Sequence, residues 1–231
     1  MNDESELATS SPPVKVQAIE VTIFLLLILP SMIMSTSLAK PVNLSFSVVA
    51  WATILSDIPV LALVLYFLWR NSEAFRSIGL TLRNGWKEAF IGAAIFIPLL
   101  FAMGVVEKVL REAGLSVPKS APSFLVPAGG GEIALALLFL IVVAVSEEVI
   151  FRGYLIRRFA AISKNPAAAL VLSSFIFALG HGYQRTGGIV GVGILGLVFG
   201  AVYLWRKSLI APIVMHFIQN FIGIIIVPLI R

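Results

Sequence analysis

The stretch IALALLFLIVVAVSEEVIFRGY, residues 133–154, decides how this chain is read. Residues 133–145 hold no polar side chain at all. Ser146, Glu147, Glu148 and Arg152 then enter, and the run stays apolar around them to about residue 159. A helix needs about 20 predominantly apolar residues to cross a bilayer, and this stretch supplies them. Ionisable groups in such a segment are costly, and they persist where they are paired or used.

The rest of the chain repeats the apolar theme. Of 231 residues, 59% are hydrophobic and 13% charged, and mean hydropathy is +1.00; a soluble domain carries about 25% charged residues. The pattern predicts an all-α, polytopic transmembrane bundle of about seven spans with a buried polar pocket. The spans fall near residues 16–38, 44–69, 89–110, 133–159, 166–182, 188–205 and 209–230. Residues 1–15 are acidic and Pro/Ser-rich, with no basic leader region or cleavage site, and read as a disordered tail. Residues 16–231 read as one transmembrane domain.

The connectors are polar. RNSEAFRSIGLTLRNGWKE mixes basic and apolar residues and is expected to lie at the membrane interface. GLSVPKSAPSFLVPAGGG is a loop by its Pro, Gly and Ser content. SKNP makes a short turn, with Pro166 suited to the first position of a helix. Gly187, Gly191, Gly196 and Gly200 recur at a spacing that lets helix backbones approach closely.

Several function classes drop out. Without cysteine there is no disulfide, no cysteine-zinc site and no thiol nucleophile. The net charge of +5 does not point to nucleic acid, because the basic residues flank the apolar spans. Lys15, Arg70, Arg76, Arg83, Lys87, Arg157, Arg158, Lys164, Arg206 and Lys207 fall on one side. Lys40, Lys108, Arg111, Lys119, Arg185 and Arg231 fall on the other. That bias predicts a cytoplasmic N terminus and an external C terminus. The expected setting is the plasma membrane of a prokaryote, with membrane lipid as the surrounding partner. The sequence carries no signal for an oligomeric state.

The polar groups inside the last four spans narrow the chemistry. They are Glu147, Glu148 and Arg152, then His181, then His216 and Asn220, and the chain's two histidines are both among them. Glu148 and Arg152 are spaced to pair along one helix face, and Glu147 lies about 100° round from Glu148. His216 and Asn220 share a face, as do Phe177 and His181. At about 1.5 Å per residue, Glu147 lies ~16 Å from Arg158, and His181 ~22 Å from Pro166. His216 and Asn220 lie ~12 and ~18 Å from Ser208. These starting points share one membrane side, so the groups can converge at one depth.

A glutamate beside a histidine can deprotonate water. A second histidine and an asparagine amide can donate hydrogen bonds to a developing oxyanion. Together they suit hydrolysis of an amide or ester without a covalent nucleophile, although Ser146 and Ser173 lie near in sequence. A second chemistry is open: Glu147, His181 and His216 could hold zinc or another divalent metal. No HExxH motif is present, and asparagine is a poor zinc ligand.

These residues carry a resemblance. Glu147 to Arg152 reads EExxxR, Phe177 to His181 reads FxxxH, and His216 to Asn220 reads HxxxN. In this order, over residues 132–221, they resemble the CAAX protease and bacteriocin-processing family of intramembrane proteases (CPBP or Abi), including CAAX prenyl endopeptidases of type 2. The resemblance implies that Glu147 activates water with His181 assisting, and that His216 and Asn220 stabilise the oxyanion. It implies that Glu148, Arg152 and Phe177 support the site. It implies a membrane-bound or lipidated peptide substrate. Members of the family cleave prenylated CAAX proteins or act in bacteriocin processing and immunity. A catalytically silent immunity or binding protein on the same fold is therefore the alternative. A proton-relay transporter fits less well, because the polar groups sit in the C-terminal half alone and no internal repeat is visible.

Overall fold

A computed structural model describes residues 11–35 and 44–230. It is an all-helical bundle, and no strand occurs among the described residues. Among the described residues, seven helical regions build it. They are α1 (Val14–Met34), α2 (Phe46–Arg70), α3 (Gly85–Glu112), α4 (Gly130–Ser163), α5 (Pro166–Leu179), α6 (Arg185–Arg206) and α7 (Ile210–Leu229). Six of the seven regions are long and apolar enough to cross a membrane. The protein is an integral, multi-pass membrane protein. The exception is α5. Its 14 residues reach about 21 Å, short of a ~30 Å hydrocarbon core. The sequence reading carries this span to residue 182 as helix. The helix instead stops at Leu179, and a 3₁₀ turn at Gly182–Gln184 completes the pass. His181 therefore sits just beyond a helix end inside the bundle.

Local chemistry explains most boundaries. Asn165 Oδ1 accepts from the backbone N–H of Ala167 and Ala168 at 3.0 and 3.1 Å, and Pro166 opens α5. This satisfies donors that a helix start leaves free. Pro30, Pro59 and Pro98 lie inside α1, α2 and α3. Helix α4 is not uniform: Gly130–Glu147 is α-helical, Glu148–Leu155 is π-helical, and Ile156–Ser163 resumes the α form. A second π-helical stretch, Ile222–Ile226, lies in α7.

Packing is tight where small residues permit it. A Cβ on Gly92 of α3 would stand 2.5 Å from the Ala211 carbonyl of α7. On α6, side chains at Gly187, Gly196 and Gly200 would collide with Val117, Ser174 and Leu170. Gly191 differs, for its nearest neighbour is Met103 at 3.8 Å. It lines a cavity rather than a helix contact.

The connector between α2 and α3 departs from a simple interfacial segment. Its 3₁₀ turn, Phe75–Ile78, pushes Ile78 fully into the core, while Leu82 and Trp86 stay exposed. The expected tail is also shorter among the described residues. Arg157 donates to the Ser11 hydroxyl, Gln17 donates to the Pro12 carbonyl, and α1 begins at Val14. The tail reading of residues 1–10 lies outside the described residues.

Two sides can be distinguished. Residues 71–84 and the turns at Lys164 and Lys207 lie with the N-terminal end of α1. Connector 113–129, the 180–184 turn and the C-terminal end of α7 lie opposite.

Candidate active site

Helix α4 brings two adjacent carboxylates to the middle of the bundle. Glu148 is fully buried, and its Oε1 lies 3.0 Å from Arg152 Nη1, the pairing their spacing sets up. The same oxygen lies 2.8 Å from His216 Nδ1 on α7. The carboxylate accepts, so this ring nitrogen carries the proton. His216 Nε2 is then the nitrogen turned toward the second glutamate, with Glu147 Oε2 at 3.5 Å.

The sequence reading gives Glu147 the help of His181. In the structure the imidazole beside Glu147 belongs to His216. His181 stands across Phe177. Its ring lies 4.8 Å from the Phe177 ring, and its Nδ1 is 3.0 Å from the Phe177 carbonyl. A carbonyl only accepts, so His181 Nδ1 donates and Nε2 keeps its lone pair.

Phe177 acts as a hub. Its ring packs on the Arg152 guanidinium at 4.2 Å, on Phe151 at 5.2 Å and on His216 at 6.0 Å. Phe199 of α6 closes the other side, 5.6 Å from Arg152 and 5.9 Å from His216. An aromatic face can hold a desolvated guanidinium, which accounts for part of the cost of burying Arg152. Hydrogen bonding does not account for the rest. Neither terminal nitrogen of Arg152 makes a hydrogen bond, nor do Glu147 Oε2, Glu148 Oε2 and Ser146 Oγ. Buried polar groups without partners are uncommon, and they cluster where a protein does chemistry. Ser173 is not so placed, since its hydroxyl donates to the Phe151 carbonyl at 2.6 Å.

Asn220 lies one turn beyond His216 on α7. It faces a cavity of about 530 Å³ bounded by α3, α6, α7 and connector 113–129. Tyr183, Gln184, Gln219, Gly191 and Lys119 share its wall, while Glu147 and His181 do not line it. The structure thus gathers Glu147, Glu148, Arg152, Phe177 and His216 directly. It sets His181 against the Phe177 ring and Asn220 on the cavity wall.

Zinc would need Glu147, His181 and His216 around one point. Among the described residues, no three or more His, Cys, Asp or Glu side chains are grouped so as to hold a metal ion. The donor set as arranged does not fit a metal, and no step is derived through one.

Residues 129–222 match the family model of type II CAAX prenyl endopeptidase, Rce1-like. That region is similar to the CAAX protease family. Its match covers less than half of the chain and contains every residue named in the EExxxR, FxxxH and HxxxN motifs. No curated protein and no solved structure matches the chain. The family is one of CAAX-type intramembrane endopeptidases, in keeping with the apolar helices around the site.

One group escapes the sequence reading. Asp57 lies midway along α2, outside the family match, and its Oδ2 is buried without a hydrogen bond. The signal was present, for Asp57 is the only acidic residue within the apolar run 44–69.

Proposed function

We propose that this protein is an intramembrane endopeptidase that hydrolyses a peptide bond of a membrane-associated substrate, with prenylated CAAX-type peptides as the class to test. The observation that carries the reading is the buried Glu147–His216–Glu148–Arg152 cluster, with its unmatched polar atoms, inside an Rce1-like region. The transmembrane helices act as one catalytic domain, and the N terminus faces the cytoplasm.

Glu147 is the general base. It takes a proton from water, and the hydroxide adds to the scissile carbonyl carbon. His181 Nε2, an acceptor once Nδ1 is committed to Phe177, helps orient that water. The oxyanion receives hydrogen bonds from the Asn220 amide and, in its doubly protonated form, from His216 Nε2. Collapse of the tetrahedral intermediate breaks the C–N bond, and Glu147 returns its proton to the leaving amine. Glu148 fixes the His216 ring through Nδ1, and Arg152 and Phe177 hold Glu148 and both rings in place.

The test is incubation of the purified protein with a prenylated CAAX peptide, beside Glu147→Ala, each with and without chelator. Cleavage by the wild type, lost in the variant and kept with chelator, supports the reading. Loss with chelator and recovery on adding zinc overturns the water-activation scheme. A wild type that cleaves neither this peptide nor other membrane-anchored peptides favours the silent immunity role.

A further inference from the structure

Helix α2 turns one face to α4. Phe46, Ala50 and Ile54 are buried there against Phe139, Leu140 and Val143. The stripe continues at Leu61, Val64 and Leu68, which pack into the main core. Helical spacing puts residue 57 on this same stripe, between Ile54 and Leu61. An aspartate thus occupies a position that its neighbours fill with apolar side chains.

Two ties fix the height of Asp57. Helices α2 and α4 run in the same direction and are joined at both ends of their contact. Ser47 donates to Glu132 at 2.6 Å on one side. Arg157 donates to Glu73, just past the end of α2, at 3.0 Å on the other. Asp57 is held between these ties beside the central part of α4, and both it and Glu147 keep a carboxylate oxygen buried without a hydrogen bond.

Its bonding is poor. Oδ2 is shut off from solvent with no hydrogen bond, and Oδ1 meets only the Ser56 hydroxyl at 3.5 Å. A carboxylate so placed costs stability, and packing alone would select an apolar or amide side chain. Such a cost is characteristic of sites where stability is given up for activity.

We propose that Asp57 belongs to the same site: a second-helix carboxylate coupled to Glu147 that positions it for reaction. The coupling rests on the packing of α2 against α4 and on the orphaned oxygens of both carboxylates, and only the positioning role rests on the protease reading. Asp57 reaches the site from outside the family match, so its contribution is a property of this chain's own N-terminal half.

A melting cycle tests the coupling without any substrate. Wild type, Asp57→Asn, Glu147→Gln and the double variant are compared in detergent. Each single variant is expected to melt at or above the wild-type temperature, by up to about 2–4 °C. The double variant should gain less than the sum, because either change relieves the same repulsion. Additive shifts overturn the proposal. On the prenylated peptide, Asp57→Asn should lower kcat by about tenfold or more with little change in KM, and Asp57→Glu should recover part of it. A structural role would lower melting temperature along with kcat. Unchanged kcat in Asp57→Asn overturns the positioning role. If the wild type cleaves nothing, the protease reading fails, and the melting cycle still decides whether Asp57 and Glu147 form one site.

Discussion

Helix α4 carries two buried arginine–glutamate clusters about two turns apart, and they are bonded to different degrees. The outer one is a clasp. Arg158 donates through both terminal nitrogens to Glu73, Arg157 adds bonds to Glu73 and to the Ser77 carbonyl, and Asn71 donates to Glu20. It joins α1, the α2–α3 connector and α4, and both Glu73 oxygens and both terminal nitrogens of Arg158 are bonded, while Arg158 Nε and Glu20 Oε2 are not. The inner cluster leaves Arg152, both glutamates and Ser146 with unmatched atoms, although Glu148 and Arg152 are as deeply buried as Glu73 and Arg158. Burial alone therefore does not mark a site. What distinguishes the inner cluster is that both terminal nitrogens of its arginine and an oxygen of each glutamate are unspent, where the outer arginine's terminal nitrogens and Glu73 are fully bonded, and such capacity is what a substrate and a water can use.

The contrast predicts opposite phenotypes. The largest effect is expected from Glu147→Gln, which keeps shape and removes the base. Cleavage should fall about 10²–10⁴-fold with no loss of melting temperature, measured by peptide turnover and thermal unfolding. Glu73→Ala should do the reverse. Stripping the partner from two arginines is expected to cost about 3–5 kcal/mol, read in denaturant or heat, while the folded fraction keeps its turnover. If Glu73→Ala abolished turnover in folded protein, the clasp and the site could no longer be separated.

Asn220→Ala should reduce kcat about 10²–10³-fold with a smaller change in KM, since an oxyanion donor acts chiefly in the transition state. A KM effect alone would make Asn220 a binding residue of the cavity. The smallest effect is expected from Lys108→Ala, which removes an exposed pair with Glu112. Neither turnover nor melting temperature should move measurably.

How much of this was legible in the sequence depends on the kind of signal. The spans were readable because apolar length is nearly sufficient to define them, and the polar cluster because ionisable residues at membrane depth are so rare. The partner of each residue was not. Spacing along one helix gave Glu148–Arg152, but which histidine meets Glu147 depends on how α5 and α7 cross α4, and no local pattern encodes that. Arg158 was read as a flanking charge that orients α4, yet it is wholly buried. Glu20 and Gln17, two polar residues in an apolar run, were the available hint of its partners. Asp57 was passed over because it falls outside the motif region. The break in α5 at Leu179 and the π-helical turn in α4 follow from packing, and residue preferences do not announce them.

The π-helical stretch has a consequence of its own. Residues 148–155 form hydrogen bonds to the fifth residue along rather than the fourth, so the segment holds one more residue per turn than its surroundings. It sits between the two clusters and sets their rotational phase. Excising a single residue there, such as Gly153, would let the helix tighten to the common form. The tightened turn would take up the missing residue and leave the two halves near their present phase, whereas excision just past it, at Ile156, would turn the outer half by about 100°. Arg158 would swing away from Glu73 while Glu148 kept its place against His216. The π-helical stretch can thus absorb a one-residue change in length, and the α-helical turn beside it cannot without parting Arg158 from Glu73.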